Sequence, residues 1–240
     1  MNMPQKEYFK VIESECIDES KLFNTEECNY YKNKLIRNRY KSFLPLLEEI
    51  CKLSRKYEYG LDLYMILYEG IKINECHYQD LLEMENIPLC ILTNDYNEYA
   101  LNENISIDNF KSIIEDINLL ERYELNVSVG TYLCEYIFEE ERKINFSDKI
   151  SRLDSYFVFS SINDCKYYID RHEIDMPIVK IIPKEINNYC ECDIKHIDDK
   201  KARATIKEYE CIANRYWKGE HTNEPVIETF FQGTFKMERI

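Results

Sequence analysis

Apolar and polar positions follow a strand-like pattern near both ends of the chain and recur at helical spacing through its middle. Residues 8–12, Tyr-Phe-Lys-Val-Ile, form a short β-prone run that gives way to a polar, turn-rich stretch as far as Asn24. Ser42 is a candidate cap for a helix with Phe43, Leu46, Leu47, Ile50, Ser54 and Tyr57 on one face, Pro45 being tolerated in its first turn. Gly60 and Gly70 bracket a second helix over 61–68, and residues 74–104 mix a helical stretch with an Asn-rich loop. Asp108 starts an amphipathic helix lined by Phe110, Ile113, Ile114, Ile117 and Leu120, and a further helix is expected over 128–143.

The character then turns toward strands. Residues 156–159 and 178–182 are β-branched or aromatic runs, the second closed by Pro183, with a short helix over 162–171 between them. A helix over 201–218 precedes two terminal strands, 226–231 and 235–240, broken at Gly233. This order predicts an α+β fold: residues 1–24 give the first strand of the core, 25–124 a large helical insertion, and 125–240 the rest of the core.

Composition sharpens the picture. Apolar residues make up 45% of the 240, with 20 Tyr and 11 Phe, which is enough buriable surface for a self-folding chain despite 32% charged residues. The first residues lack a basic segment followed by an apolar one, and no run of about 18 apolar residues occurs, so a cytoplasmic protein without membrane spans is expected. The 10 cysteines are scattered, several within apolar helical patterns such as Cys51 and Cys134, and are read mostly as reduced core residues. A net charge of −14 argues against non-specific nucleic-acid binding through a basic surface. The densest positive run, Lys32, Lys34, Arg37, Arg39 and Lys41, reads either as a solvated helix face or as a local basic cleft.

Three segments carry a resemblance. From Phe138 to Phe157, a helix ending in Glu and Arg leads through Phe146, Ser151 and Arg152 into the strand Ser155-Tyr-Phe-Val-Phe. This is similar to F-P-x-x-P-S-R followed by S-x-F-x-F in a bacterial family that looks like a divergent branch of the ADP-ribosyltransferase fold. The opening strand at Tyr8 and the ending Tyr216-Trp217-Lys-Gly219, Glu228 and Gly233 resemble the family's Y-[HR]-[VI] and YWxG…E…G. The match covers about 7–12 and 125–240. Ser147 and Ile150 replace both prolines, and Lys10 stands where Arg or His is expected.

The resemblance implies an ADP-ribosyltransferase-like split β-sheet core that uses NAD as substrate. Such chemistry passes through an oxocarbenium-like transition state and needs a carboxylate near the ribose 2′-OH. Glu228 is the implied catalytic carboxylate, although a Glu on a terminal strand is also compatible with a solvent-facing position. Lys10, Ser151, Arg152, Ser155, Tyr156 and Trp217 are the implied NAD-binding residues. The residues leave alternatives open: Ser151 and Ser155 suit a plain turn, Trp217 suits core packing, and Arg152 suits a structural anchor paired with Glu139, Glu140 or Asp154. Lys10 keeps a charge but loses a planar fork or ring.

No Gly-rich nucleotide loop, G-x-S-x-G or H-E-x-x-H occurs, and only 5 glycines are present. Cys190, Cys192 and His196 have the spacing of part of a zinc site, but the second ligand pair is missing and no metal is expected. Two functions follow. One is an NAD-dependent ADP-ribosyltransferase-like protein acting on an intracellular protein or nucleic acid, as a toxin or phage-defence effector. The other is a non-catalytic protein-binding module that keeps the fold, with Tyr57, Tyr59, Tyr64, Tyr68 and Tyr78 of the insertion suited to protein contacts.

Overall fold

A computed structural model of the chain describes residues 7–33, 37–57, 80–88, 104–111, 129–198 and 206–240. The described strands are β1 (Tyr8–Val11), β2 (Phe23–Asn24), β3 (Asn86–Pro88), β4 (Asn104–Ser106), β5 (Tyr156–Phe159), β6 (Ile178–Asp193) and β7 (Ile227–Arg239). The helices are α1 (Thr25–Cys28), α2 (Tyr30–Asn33), α3 (Arg37–Tyr57), α4 (Val129–Asn145), α5 (Ile162–His172), α6 (Lys195–Asp198) and α7 (Ile206–Lys218). The fold is mixed α+β with a mostly antiparallel sheet. The chain divides into two compact units: Met1–Arg37, Phe138–Asp199 and Ile212–Ile240 form the first, Asn38–Ile137 and Lys200–Cys211 the second.

The first unit is built on a sheet of order β2-β7-β5-β1-β6, and because β6 also pairs with β7, the pairings of β7, β5, β1 and β6 close into a ring. All are antiparallel. Their register sorts side chains between two faces, since residues directly opposite one another share a face and neighbours along a strand do not. One face holds Tyr8, Tyr156, Val158, Val179, Ile181, Phe231, Phe235 and Met237 in a buried cluster. On the other, Phe9, Val11 and Phe159 pack with Cys165 of α5 and with Ile194 and Val226. Phe157 and Phe159 lie opposite Phe230 and Glu228, so those four share this second face.

Two local breakers behave differently from the sequence expectation. Gly233 does not divide two strands; β7 runs through it with φ of +149°, and a Cβ there would sit 1.9 Å from the Glu185 carbonyl oxygen. The glycine permits close approach of two backbones, and its N–H donates to Thr25 Oγ1 at 2.9 Å. Pro183 does not close β6; it lies opposite Phe235 beside a register shift between Pro183 and Glu185, where the ladder forgives a missing N–H. Asp193 ends β6 and fixes the chain entering β7: Oδ1 accepts from Lys195 N (3.1 Å) and Val226 N (3.0 Å), Oδ2 from Thr222 N and Oγ1 (both 2.7 Å).

In the second unit, α3 starts at Arg37, ahead of the expected cap at Ser42, and Pro45 lies in its interior. The Ser42 hydroxyl donates back to the Arg39 carbonyl at 2.7 Å, which removes it from capping. Tyr132 of α4 stacks on Tyr40 with ring centroids 5.7 Å apart and meets Phe43 edge-on at 5.9 Å. Within the Asn-rich segment, β3 and β4 pair antiparallel through Ile87 opposite Ile105, two strands not foreseen there. The expected helix over 61–68, the 113–120 part of the Asp108 helix and the side chains of Tyr57, Tyr59, Tyr64, Tyr68 and Tyr78 lie outside the described residues.

Candidate functional site

The site begins where α4 ends. Glu139 and Arg142, one turn apart, pair in a fork: Nε donates to Oε2 at 3.0 Å and Nη2 to Oε1 at 2.7 Å. Arg142 Nη1 also donates to the Lys149 carbonyl at 2.8 Å, and Ser151 Oγ donates to Glu139 Oε2 at 2.9 Å. Ser155 Oγ donates to the Ser151 carbonyl at 2.6 Å, while the Tyr30 and Tyr31 N–H groups donate to the carbonyls of Ser155 and Leu153. These bonds fix residues 146–155 as a turn and present Arg152 to the interior.

Arg152 reaches Glu228, with Nη1 donating to Oε1 at 2.5 Å; only 8% and 3% of the two side chains remain exposed. The Tyr216 hydroxyl donates to the same carboxylate oxygen at 2.6 Å and also contacts Arg152 Nη1. Aromatic faces surround the cation: the guanidinium carbon lies 4.8 Å from the Phe157 ring centre, 5.0 Å from Tyr216 and 5.9 Å from Phe138. Trp217 is fully buried against Phe230, its Nε1–H donating to the Phe138 carbonyl at 2.8 Å. Burial pushes the Tyr216 hydroxyl well above its ordinary pKa; Arg152 opposes this and Glu228 adds to it. Tyr216 therefore stays protonated and donates to Glu228. The pair is closed off from water and internally compensated, as a buried charge must be.

The model of a family described as a protein of unknown function (DUF2441) matches residues 5–240. The chain belongs to that family. No curated protein matches it. In this DUF2441 protein the turn, Arg152, Tyr216, Trp217 and Glu228 bring together residues from two of the three motif segments singled out from the sequence, drawn from α4, the following loop, α7 and β7.

Not every expected residue joins them. Glu228, Arg152 and Trp217 are brought together, and Ser151 and Ser155 shape the turn that delivers Arg152. Lys10 and Tyr156 lie on the opposite face: alternation puts Lys10 with Tyr8, and its Nζ stands 4.7 Å over the Tyr156 ring while donating to the Phe157 carbonyl at 2.9 Å. Tyr156 stacks on Phe235 at 4.3 Å and burial raises its pKa well above the usual value. The sheet thus separates the expected opening-strand cation from the expected carboxylate. Arg152 finds its carboxylate on β7, since Glu139, one of the acids considered for it, is held by Arg142 and Ser151.

The sequence carries no motif signal for Asp193; it marks Tyr216 through the YWxG resemblance and as an aromatic neighbour of Trp217 able to wall a pocket, but gives no sign that its hydroxyl donates to Glu228. Cys190 and Cys192 stand with sulfurs 3.7 Å apart, and His196 Nε2 lies 2.8 Å from the Glu220 carbonyl oxygen. Among the described residues no group of three or more His, Cys, Asp or Glu is placed to hold a metal ion. Among them, too, no helix is long and apolar enough to cross a membrane.

Proposed function

We propose that this protein works as a non-catalytic protein-binding module in which the Arg152–Glu228–Tyr216 network is a scaffold. The observation that carries the reading is Glu228 itself. Its carboxylate is 3% exposed and takes two strong hydrogen bonds within the protein, whereas a carboxylate acting on a ribose must face a cleft. The tyrosine-rich stretch over 57–78 supplies a residue type enriched at protein interfaces.

A second reading, an NAD-dependent ADP-ribosyltransferase with a split-sheet core acting on an intracellular macromolecule, is favoured by one observation. Arg152 of the segment after α4 and Tyr216 and Glu228 of the ending segment, the arginine and the glutamate 76 residues apart, meet in one hydrogen-bonded group. On that reading NAD binding would have to release Glu228 from Arg152 and reach it from a face that Lys10 does not share.

Incubation of the full chain with labelled NAD and a cell lysate, beside Glu228→Gln, separates the two. The binding reading expects equal background label in both and a stoichiometric protein captured with or without NAD. Label transferred by the wild type and lost in a folded Glu228→Gln protein would overturn it.

A further inference from the structure

Cys190 and Cys192 are two residues apart on β6, so both side chains leave the same face of the sheet. Their sulfurs are 3.7 Å apart and both thiols are free. The turn after α4 brings Lys149 to them, its ammonium 4.0 Å from Cys190 Sγ, and Arg142 anchors that turn through the Lys149 carbonyl. The two thiols are not equivalent, Cys190 keeping 8% exposure and Cys192 1%. The hydrogen bond with Cys192 draws the Cys190 thiol below its ordinary pKa against burial, Lys149 assisting and Glu228 and Glu191 opposing. Burial drives Cys192 strongly upward. By contrast, burial raises Cys28 to about 11 and Cys165 to about 12.

We propose that Cys190 and Cys192 form a hydroperoxide-reactive dithiol, in which Cys190 beside Lys149 attacks and Cys192 resolves to an intramolecular disulfide. The Cys190 thiolate attacks one peroxide oxygen; the O–O bond breaks, the departing oxygen takes a proton and leaves as alcohol or water, and Cys190 becomes a sulfenic acid. The Cys192 sulfur then bonds to Cys190 sulfur, its proton leaving with the sulfenic hydroxyl as water. Two thiols are oxidised and one hydroperoxide is reduced by two electrons. Residues two apart on a strand are separated by about 6.6 Å, near the upper limit for a disulfide, so β6 must pucker and the bond is easily returned by a small thiol.

The test treats the reduced full chain with hydrogen peroxide, quenches it, alkylates in denaturant and maps the peptides. The expected result is loss of two hydrogens in the peptide carrying Cys190 and Cys192, ahead of oxidation at the exposed Cys16 and Cys211, and reversed by dithiothreitol. In Cys192→Ser, dimedone should trap a sulfenic acid on Cys190, and Lys149→Met should slow oxidation about 3- to 10-fold. The wild-type measurement alone can overturn the proposal: recovery of both cysteines as alkylated thiols once Cys16 and Cys211 have oxidised would do so. Dimedone labelling of Cys192 in Cys190→Ser at the rate of Cys190 in Cys192→Ser would reverse the assigned roles and overturn it as well.

Discussion

Replacing Glu228 by alanine removes the acceptor shared by Arg152 and Tyr216 and leaves a guanidinium in a site where 8% of its side chain meets solvent. Taking one partner from a buried ion pair costs about 3–5 kcal/mol, because the remaining charge keeps its desolvation penalty without its counter-charge. The aromatic rings around Arg152 persist and hold the cost within that range. Glu228→Gln keeps the shape and an acceptor oxygen, and should cost about 1–3 kcal/mol. Adding Arg152→Met to Glu228→Ala should recover part of the loss, since an apolar replacement of the whole pair is often close to neutral. The assay is urea unfolding followed by fluorescence of Trp217, the 1 Trp in the chain, whose buried ring next to Phe138 and Phe230 reports on this region. The cost should barely change when salt is raised, because water does not reach the pair. An unfolding free energy for Glu228→Ala within about 1 kcal/mol of the wild type would refute the reasoning. The carboxylate would then be energetically disengaged and open to a ligand, and the NAD-dependent reading would regain its ground.

Three further outcomes follow from the same geometry. Gly233→Ala should destabilise by at least about 2–3 kcal/mol, measured by urea unfolding, because the new Cβ meets the Glu185 backbone 1.9 Å away and neither strand can yield. Asp193→Ala should cost about 2–4 kcal/mol by stripping acceptors from three backbone N–H groups and a hydroxyl. Burial pushes the Asp193 carboxyl up, but the hydrogen bonds from Thr222, Val226 and Lys195 outweigh it and leave the pKa lowered. Its contribution is therefore full above about pH 4 and lost as pH falls through the folded value, so the acid limb of a stability-versus-pH curve should flatten in Asp193→Ala. Tyr156 and Tyr216 have raised folded pKa values, chiefly from burial, so their contribution is full below about pH 10 and declines above it. In an alkaline titration at 295 nm, two tyrosines should ionise only with unfolding, and ionisation of every tyrosine before the fold is lost would contradict their burial.

How far the sequence foretells this molecule depends on the range of the interaction that decides each feature. The strand Tyr156–Phe159 and the helices α4 and α5 follow from local pattern, and Ser161 caps α5 by accepting from Asp164 N. Gly233 and Pro183 mislead when read locally, because each is explained by the strand lying against it. The Glu139–Arg142 contact is legible from one-turn spacing, whereas Arg152 meets an acid 76 residues away, which spacing cannot suggest. Alternation alone reveals that Lys10 and Phe9 point apart. Which of them shares a face with Glu228 is decided by the pairings of Phe9 with Phe159 and of Phe159 with Glu228, and a one-residue slip would have reversed the answer.

The position of β7 has a consequence for how the molecule is made. This strand contacts β2, β5 and β6, yet Ile227–Arg239 is the last of the described strands to be synthesised. β2, β5 and β6 lack this common neighbour until then, and Phe23, Tyr156 and Ile181 each wait for a residue between 231 and 237. Nascent chains stopped short of Ile227 should expose the aromatic cluster and engage chaperones or aggregate, while release of the final strand closes the ring late in a single step.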